Sequence, residues 1–243
     1  MITVIKKKDS NAELPEGWKE TTEDINIEKE NWENESGFKA SLYYNEKENI
    51  YILAFAGTEN LKDWVTDIRQ GVGLDDGKRG QYRKAVELAR KLQHKIKKEN
   101  LVITGHSLGG GLASIASAVT GSSAYTFNAA GLHPKTLKDQ NLSENSVGHI
   151  QAYYSTDDPL NMIQNNRSIL GSLLASSGNA FLAYLGSGLM LGDNLPQVAG
   201  EKIGLETNSN IIDGHFLKES NLLKTLKDEK ENTPDLLVFT GDF

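Results

Sequence analysis

Apolar and polar positions follow two spacings along the chain, and each change of spacing marks an element. Phe38, Ala40, Leu42 and Tyr44 recur at every second position, the spacing of a strand with one face in a core. The polar run Asn45-Glu46-Lys47-Glu48-Asn49 predicts a turn, and Ile50 to Phe55 returns as a buried strand, so the segment reads as a hairpin. Leu61, Trp64 and Ile68 then fall at helical spacing. Tyr82, Ala85, Val86, Leu88, Ala89, Leu92 and Ile96 form the apolar face of an amphipathic helix with a charged outer face. Leu101 to Thr104 predicts a core strand, Leu112 to Val119 a small apolar helix, and Ala124 to Phe127 and His149 to Tyr154 two more strands. Strands alternating with helices predict an α/β fold, a mostly parallel sheet with helices on both faces. Residues 1–36 are polar and acidic with few apolar anchors. They read as an irregular or partly helical arm of the same unit, with 37–243 as a single domain.

One segment departs from this alternation. Residues 168–192 carry no charge, a length that could span a bilayer. Glycines at 171, 178, 186, 188 and 192, interspersed with Ser172, Ser176, Ser177, Asn179 and Ser187, lower its helicity and hydrophobicity. It reads as a core helix or active-site cover, with a lipid-contacting interfacial segment and a membrane span as the alternatives.

Composition narrows the function classes. The 243 residues suit one large α/β domain or two small ones and can bury a substantial core. A net charge of −7 argues against a nucleic-acid partner and against a basic membrane-binding face. The absence of cysteine excludes disulfides, thiolate metal sites and a cysteine nucleophile. Met1 to Lys8 lacks an apolar core long enough for a secretory signal. Export, if it happens, is expected to use a non-classical route, with the cytoplasm as the alternative, or the chain is a domain cut from something longer.

The chemistry is written at Gly105-His106-Ser107-Leu108-Gly109-Gly110, between a predicted strand and a predicted helix. A turn this sharp lifts a serine hydroxyl clear of the sheet. It also brings the residues two before and two after the serine together, which explains Gly105 and Gly109. The helix start aims free N–H groups at whatever the serine attacks. A phosphate-binding loop would need a Lys-Ser/Thr ending, which is missing. The arrangement suits acyl transfer with Ser107 as nucleophile.

A serine hydroxyl needs a general base, nearly always histidine. In hydrolases on such a sheet the chain order is serine, acid, histidine. His94 precedes the serine and sits on the charged helix; His106 lies inside the turn. His133 follows the next strand, and His149 opens a strand and reads as structural or exposed. His215 remains, late in the chain after Gly214, and is the expected base. The strand ending at Tyr154 runs into Ser155-Thr156-Asp157-Asp158-Pro159, so the acid is expected at Asp158, with Asp157 the alternative. An oxyanion hole takes its donors from the backbone N–H of Leu108 and from Thr58, after Gly57 allows close backbone approach.

These blocks together resemble the class 3 lipase family, the fungal-lipase-like branch of the α/β-hydrolases. Ala54-Phe55-Ala56-Gly57-Thr58, followed by Asp63-Trp64 and Asp67, is similar to the family's oxyanion strand and Asp-Trp helix. The serine block matches its elbow, and Asp158 and His215 fall where its acid and base fall. Two positions depart. Ala56 stands where the family usually has arginine, and Phe127-Asn128-Ala129-Ala130-Gly131 replaces a Gly-x-Pro-Arg motif. The second variant is more similar to bacterial phospholipase-type members, including lipase domains of secreted antibacterial effectors.

The resemblance implies an α/β-hydrolase that cleaves carboxylic esters of lipids through an acyl-enzyme, with no metal or other cofactor. The departures point from triacylglycerol towards phospholipid cut at the sn-1 ester, a phospholipase A1. The partner is then a lipid or membrane phospholipid, with an inhibitor or immunity protein as a further expectation; the sequence does not set the oligomeric state. Two other readings stay open: a soluble short-chain carboxylesterase or thioesterase, and a non-catalytic membrane-binding module on the same fold.

Overall fold

Among the described residues, seven strands hydrogen-bond side by side in the order in which they occur along the chain. The computed structural model describes residues 14–35, 37–57, 76–132, 134–156 and 197–206. Strands β1 (Trp18–Glu20), β2 (Ala40–Asn45) and β3 (Ile50–Phe55) are antiparallel. From β3 onward the sheet is parallel, through β4 (Leu101–His106), β5 (Ala124–Phe127), β6 (Ile150–Ser155) and β7 (Glu201–Leu205). Helix α1 (Asp76–Gln93) lies between β3 and β4, and α2 (Leu108–Thr120) between β4 and β5. This is the α/β, mostly parallel architecture that the alternating pattern predicts.

The expected hairpin forms β2 and β3, with Leu42 opposite Leu53 and Tyr43 opposite Ile52. Its turn closes through Asn45, whose side-chain oxygen accepts the Glu48 N–H at 3.1 Å. Asn49 takes the left-handed conformation, φ 53°, that asparagine tolerates better than most residues.

From β3 to β6 the strand order rises without reversal, so right-handed crossovers there return on one side of the sheet. Accordingly α1 and α2 pack together on the face bearing Leu42, Leu53, Phe55, Leu101 and Ile103. Burying each such side chain is worth about 1.5–3 kcal/mol. The opposite face carries Tyr43, Ile52, Ala54 and Val102, and among the described residues no helix packs on it; the expectation of helices on both faces bears on residues outside those described. Among the described residues, no helix is long and apolar enough to cross a membrane. The uncharged segment 168–192 lies outside them.

Helix α2 is buried on nearly every side, which its small residues permit. Its hydroxyls are satisfied locally: Ser114 donates to the Gly110 carbonyl and Thr120 to that of Ala116, both at 2.8 Å. The helix stops at Gly121, left-handed at φ 71°, whose N–H returns to the Ser117 carbonyl.

Two elements differ from the sequence reading. The arm expected to be irregular or partly helical contributes β1 to the sheet edge. Trp18 of β1 is buried beside Tyr43 and Ile52, and Trp32 is buried against the helical side of the sheet. A strand of three residues is too short to show an alternation. Strand β7 was not anticipated either, because Glu201-Lys202-Ile203-Gly204-Leu205 is charged and holds a glycine, as an edge strand often does.

Candidate active site

Strand β4 ends at His106 and α2 begins at Leu108, so Ser107 alone makes the turn between them. Its backbone sits at φ 55° and ψ −123°, a region that costs a residue with a side chain about 1–3 kcal/mol. Three hydrogen bonds hold it there. The Ser107 N–H donates to the Phe127 carbonyl at 3.0 Å, and the Ser107 carbonyl accepts from Ala130 N–H at 2.8 Å and Gly111 N–H at 3.2 Å. Because the Gly111 bond is the first of the helix, the Leu108 N–H belongs to its open first turn. That is the geometry in which a backbone donor can meet a developing oxyanion.

The glycines are explained by contact. A β-carbon on Gly105 would overlap the backbone of Gly109 and Gly110, and one on Gly109 would overlap the Phe55 carbonyl. One on Gly57 would lie 2.8 Å from the His106 carbonyl oxygen and 3.5 Å from the Ser107 Cβ. The segment leading to Thr58 therefore runs directly beside the serine. Tyr82 of α1 packs against Gly111, and desolvation holds its phenol well above the usual tyrosine range, so it stays neutral.

Strand β6 delivers the chain towards the expected acid. His106, Phe127 and Tyr153 are in register across β4, β5 and β6. The end of β6 is thus two strand spacings, about 10 Å, from the serine turn. The Thr156 N–H bonds the Leu205 carbonyl at 3.1 Å, which keeps the chain in the sheet up to the residue before Asp157. Asp157, Asp158, Thr58, His215, Asp63, Trp64 and Asp67 lie outside the described residues, as does His133. Of the other histidines, His94 is exposed and His106 half-buried. The His149 ring bonds the Ser117 carbonyl through Nε2 at 3.0 Å, a structural tie between the residue preceding β6 and α2. Among the described residues, no group of three or more acidic or histidine side chains gathers as a metal site.

One residue was overlooked in the sequence. Asn128 was noted only as part of a departure from the family motif. It is buried, adopts φ 42°, and its side-chain oxygen accepts the Ser155 N–H at 2.8 Å. The available signal was an asparagine directly after a strand of buried residues, a frequent site of left-handed backbone.

The family model of the Tle-like phospholipase domain, described as phospholipase-like, matches residues 5–210. An extracellular phospholipase A1 from Serratia liquefaciens is 40% identical over 141 residues, covering 56% of this chain and 42% of the relative. The chain therefore spans less than half the length of that relative. Among solved structures, the Lip2 lipase from Yarrowia lipolytica aligns with a TM-score of 0.39 at 18% identity, over 61% of each chain. The mono- and diacylglycerol lipase from Aspergillus oryzae aligns with a TM-score of 0.35 at 20% identity, over 54% of this chain and 55% of its own.

Proposed function

We propose, on the premise that this chain belongs to the Tle-like phospholipase domain family, that it is a phospholipase A1 with Ser107 as nucleophile. The observation that carries the reading is the Ser107 turn: a strained serine between strand and helix, beside an open first helical turn. The relatedness to a Serratia extracellular phospholipase A1 supports phospholipid as the substrate and action outside the producing cell.

In the proposed reaction the Ser107 Oγ attacks the sn-1 acyl carbonyl carbon while His215 takes the hydroxyl proton. Asp158 fixes the His215 tautomer and stabilises its charged form. The tetrahedral oxyanion is met by the N–H groups of Leu108 and Thr58, each donor worth on the order of a hundred-fold in rate. The bond to the glycerol oxygen then breaks, and His215 returns its proton to that oxygen as the lysophospholipid leaves. Water, activated by the same histidine, attacks the acyl-enzyme and releases the fatty acid. No redox partner or metal is required for the atoms and charges to balance.

The test is lipid mass spectrometry of phosphatidylethanolamine–phosphatidylglycerol vesicles incubated with wild type and with Ser107→Ala. Wild type should release the sn-1 fatty acid and leave 2-acyl lysophospholipid, and Ser107→Ala should release neither. Equal release by both proteins rejects the nucleophile assignment. Release of the sn-2 acid alone rejects the positional one.

A further inference from the structure

Four hydrogen bonds converge where β5 ends. Asn128 donates its backbone N–H to the Tyr153 carbonyl at 2.9 Å, the next rung of the β5–β6 ladder. In a continuing parallel strand the main-chain carbonyl of that residue would accept the N–H two places further along β6. Here the side chain does so, with Asn128 Oδ1 accepting from Ser155 N–H at 2.8 Å. The main chain is released from the ladder by the left-handed turn at Asn128, φ 42°. It leads directly to Ala130, whose N–H grips the Ser107 carbonyl at 2.8 Å. One residue earlier, the Phe127 carbonyl accepts the Ser107 N–H at 3.0 Å. Asn128 and Ser155 are both buried, so water does not readily replace the side-chain acceptor.

We propose that Asn128 is a positioning residue that fixes the end of β6, from which the acid-bearing segment departs, relative to the Ser107 turn. Its side chain completes the sheet on one side while its backbone turns to clamp the nucleophile on the other. The inference rests on the phospholipase reading above and deepens it. It names the part that sets the spacing between nucleophile and acid, which a family motif of different sequence would have to set by other means. A shift of about 1 Å in such a spacing can cost on the order of a hundred-fold in turnover.

The test separates backbone from side chain. Gly, Asp and Asn all tolerate a left-handed φ, but only Asp and Asn present the oxygen. Asn128→Gly should lower kcat on phospholipid vesicles by about 10- to 100-fold, with KM within about twofold. Asn128→Asp should recover most of that loss, and Asn128→Ala should behave like the glycine variant. Amide exchange in the peptide holding Ser155 should quicken in the glycine variant and not in the aspartate variant. A folded Asn128→Gly protein with wild-type kcat overturns the proposal, as does an aspartate variant no better than glycine. Ser107→Ala run alongside keeps the two readings apart. If it is inactive while Asn128→Gly is not, only the positioning role falls. If it is as active as wild type, the hydrolase reading fails and takes the positioning role with it.

Discussion

The carbonyl group of Gly109 occupies the space that a β-carbon on Gly105 would need. The two residues lie on either side of Ser107 and are in contact only because the chain reverses at the serine. Gly105→Ala must therefore open the turn or displace the start of α2, and no flexible side chain is there to give way. Overpacking against backbone costs about 1–3 kcal/mol, and more where nothing relaxes. Gly105→Ala should lose at least about 3 kcal/mol of stability and essentially all activity, read by urea denaturation and ester turnover. A stable, active Gly105→Ala protein would show that the turn is looser than described.

Strain at the nucleophile predicts a trade between stability and function. Ser107 sits at φ 55°, which glycine adopts without penalty. Ser107→Gly should unfold at a higher urea concentration than wild type, a gain of about 1 kcal/mol, while losing about four to six orders of magnitude in kcat. Ser107→Ala keeps the β-carbon and should lose activity equally without the gain. Equal midpoints for the glycine and alanine variants would remove strain from the account.

The same close fit bears on the oxyanion donors. A methyl group on Gly57 would press on the His106 carbonyl oxygen from 2.8 Å. It should push the segment carrying Thr58 away from the serine. Gly57→Ala should cost roughly 10- to 1,000-fold in kcat, the range for losing one oxyanion donor. Affinity for a non-reactive ether phospholipid should be nearly unchanged, because that ligand forms no oxyanion. Weakened ether-lipid binding with intact turnover would place the effect on substrate docking instead.

The elements with strong periodicity were readable from the chain alone. The β2–β3 hairpin, the core of β4 and β5 stand where the pattern of apolar residues put them, α1 ends at Gln93, short of Ile96, and β6 stands one residue later. The Ser107 turn was readable because steric demand leaves glycine almost no substitute at 105 and 109. Strand β1 escaped because three residues carry too little pattern, and β7 because its charges resemble a loop. The role of Asn128 escaped for another reason. Its partner Ser155 is 27 positions away, and only the parallel register of β5 and β6 brings them together. Asp158, Asp157 and His215 were reached by chain order, which constrains sequence position but not distance.

Chain order alone therefore leaves the two aspartates to be separated by chemistry. Asp158→Asn should lower kcat by about four orders of magnitude, since an amide cannot stabilise the imidazolium or hold the correct tautomer. Asp157→Asn should change it by less than about tenfold. His215→Ala should match Ser107→Ala, and the double variant should be no worse than either, because the residues act as one unit. Single-turnover hydrolysis of an activated ester would read all five variants. The opposite ranking of the aspartates would exchange their roles.

Alkaline stability should depend on a residue far from the serine. Burial, assisted by the Glu20 carboxylate, pushes the Tyr43 phenol up from its usual 10.0 to about 12. Its surroundings, Trp18 of β1 with Ile52 and Ala54, favour the neutral form. A folded value above the unfolded one means that the contribution is complete below pH 10 and disappears as pH rises through 12. Wild type should lose roughly 2–3 kcal/mol of urea stability across that window from this group. Tyr43→Phe keeps the ring, discards the titrating proton and should flatten the decline, with little change at neutral pH. Burial also raises Tyr82, Tyr51 and Tyr125, so some alkaline loss persists in the variant. Parallel declines in the two proteins would assign the loss to other groups.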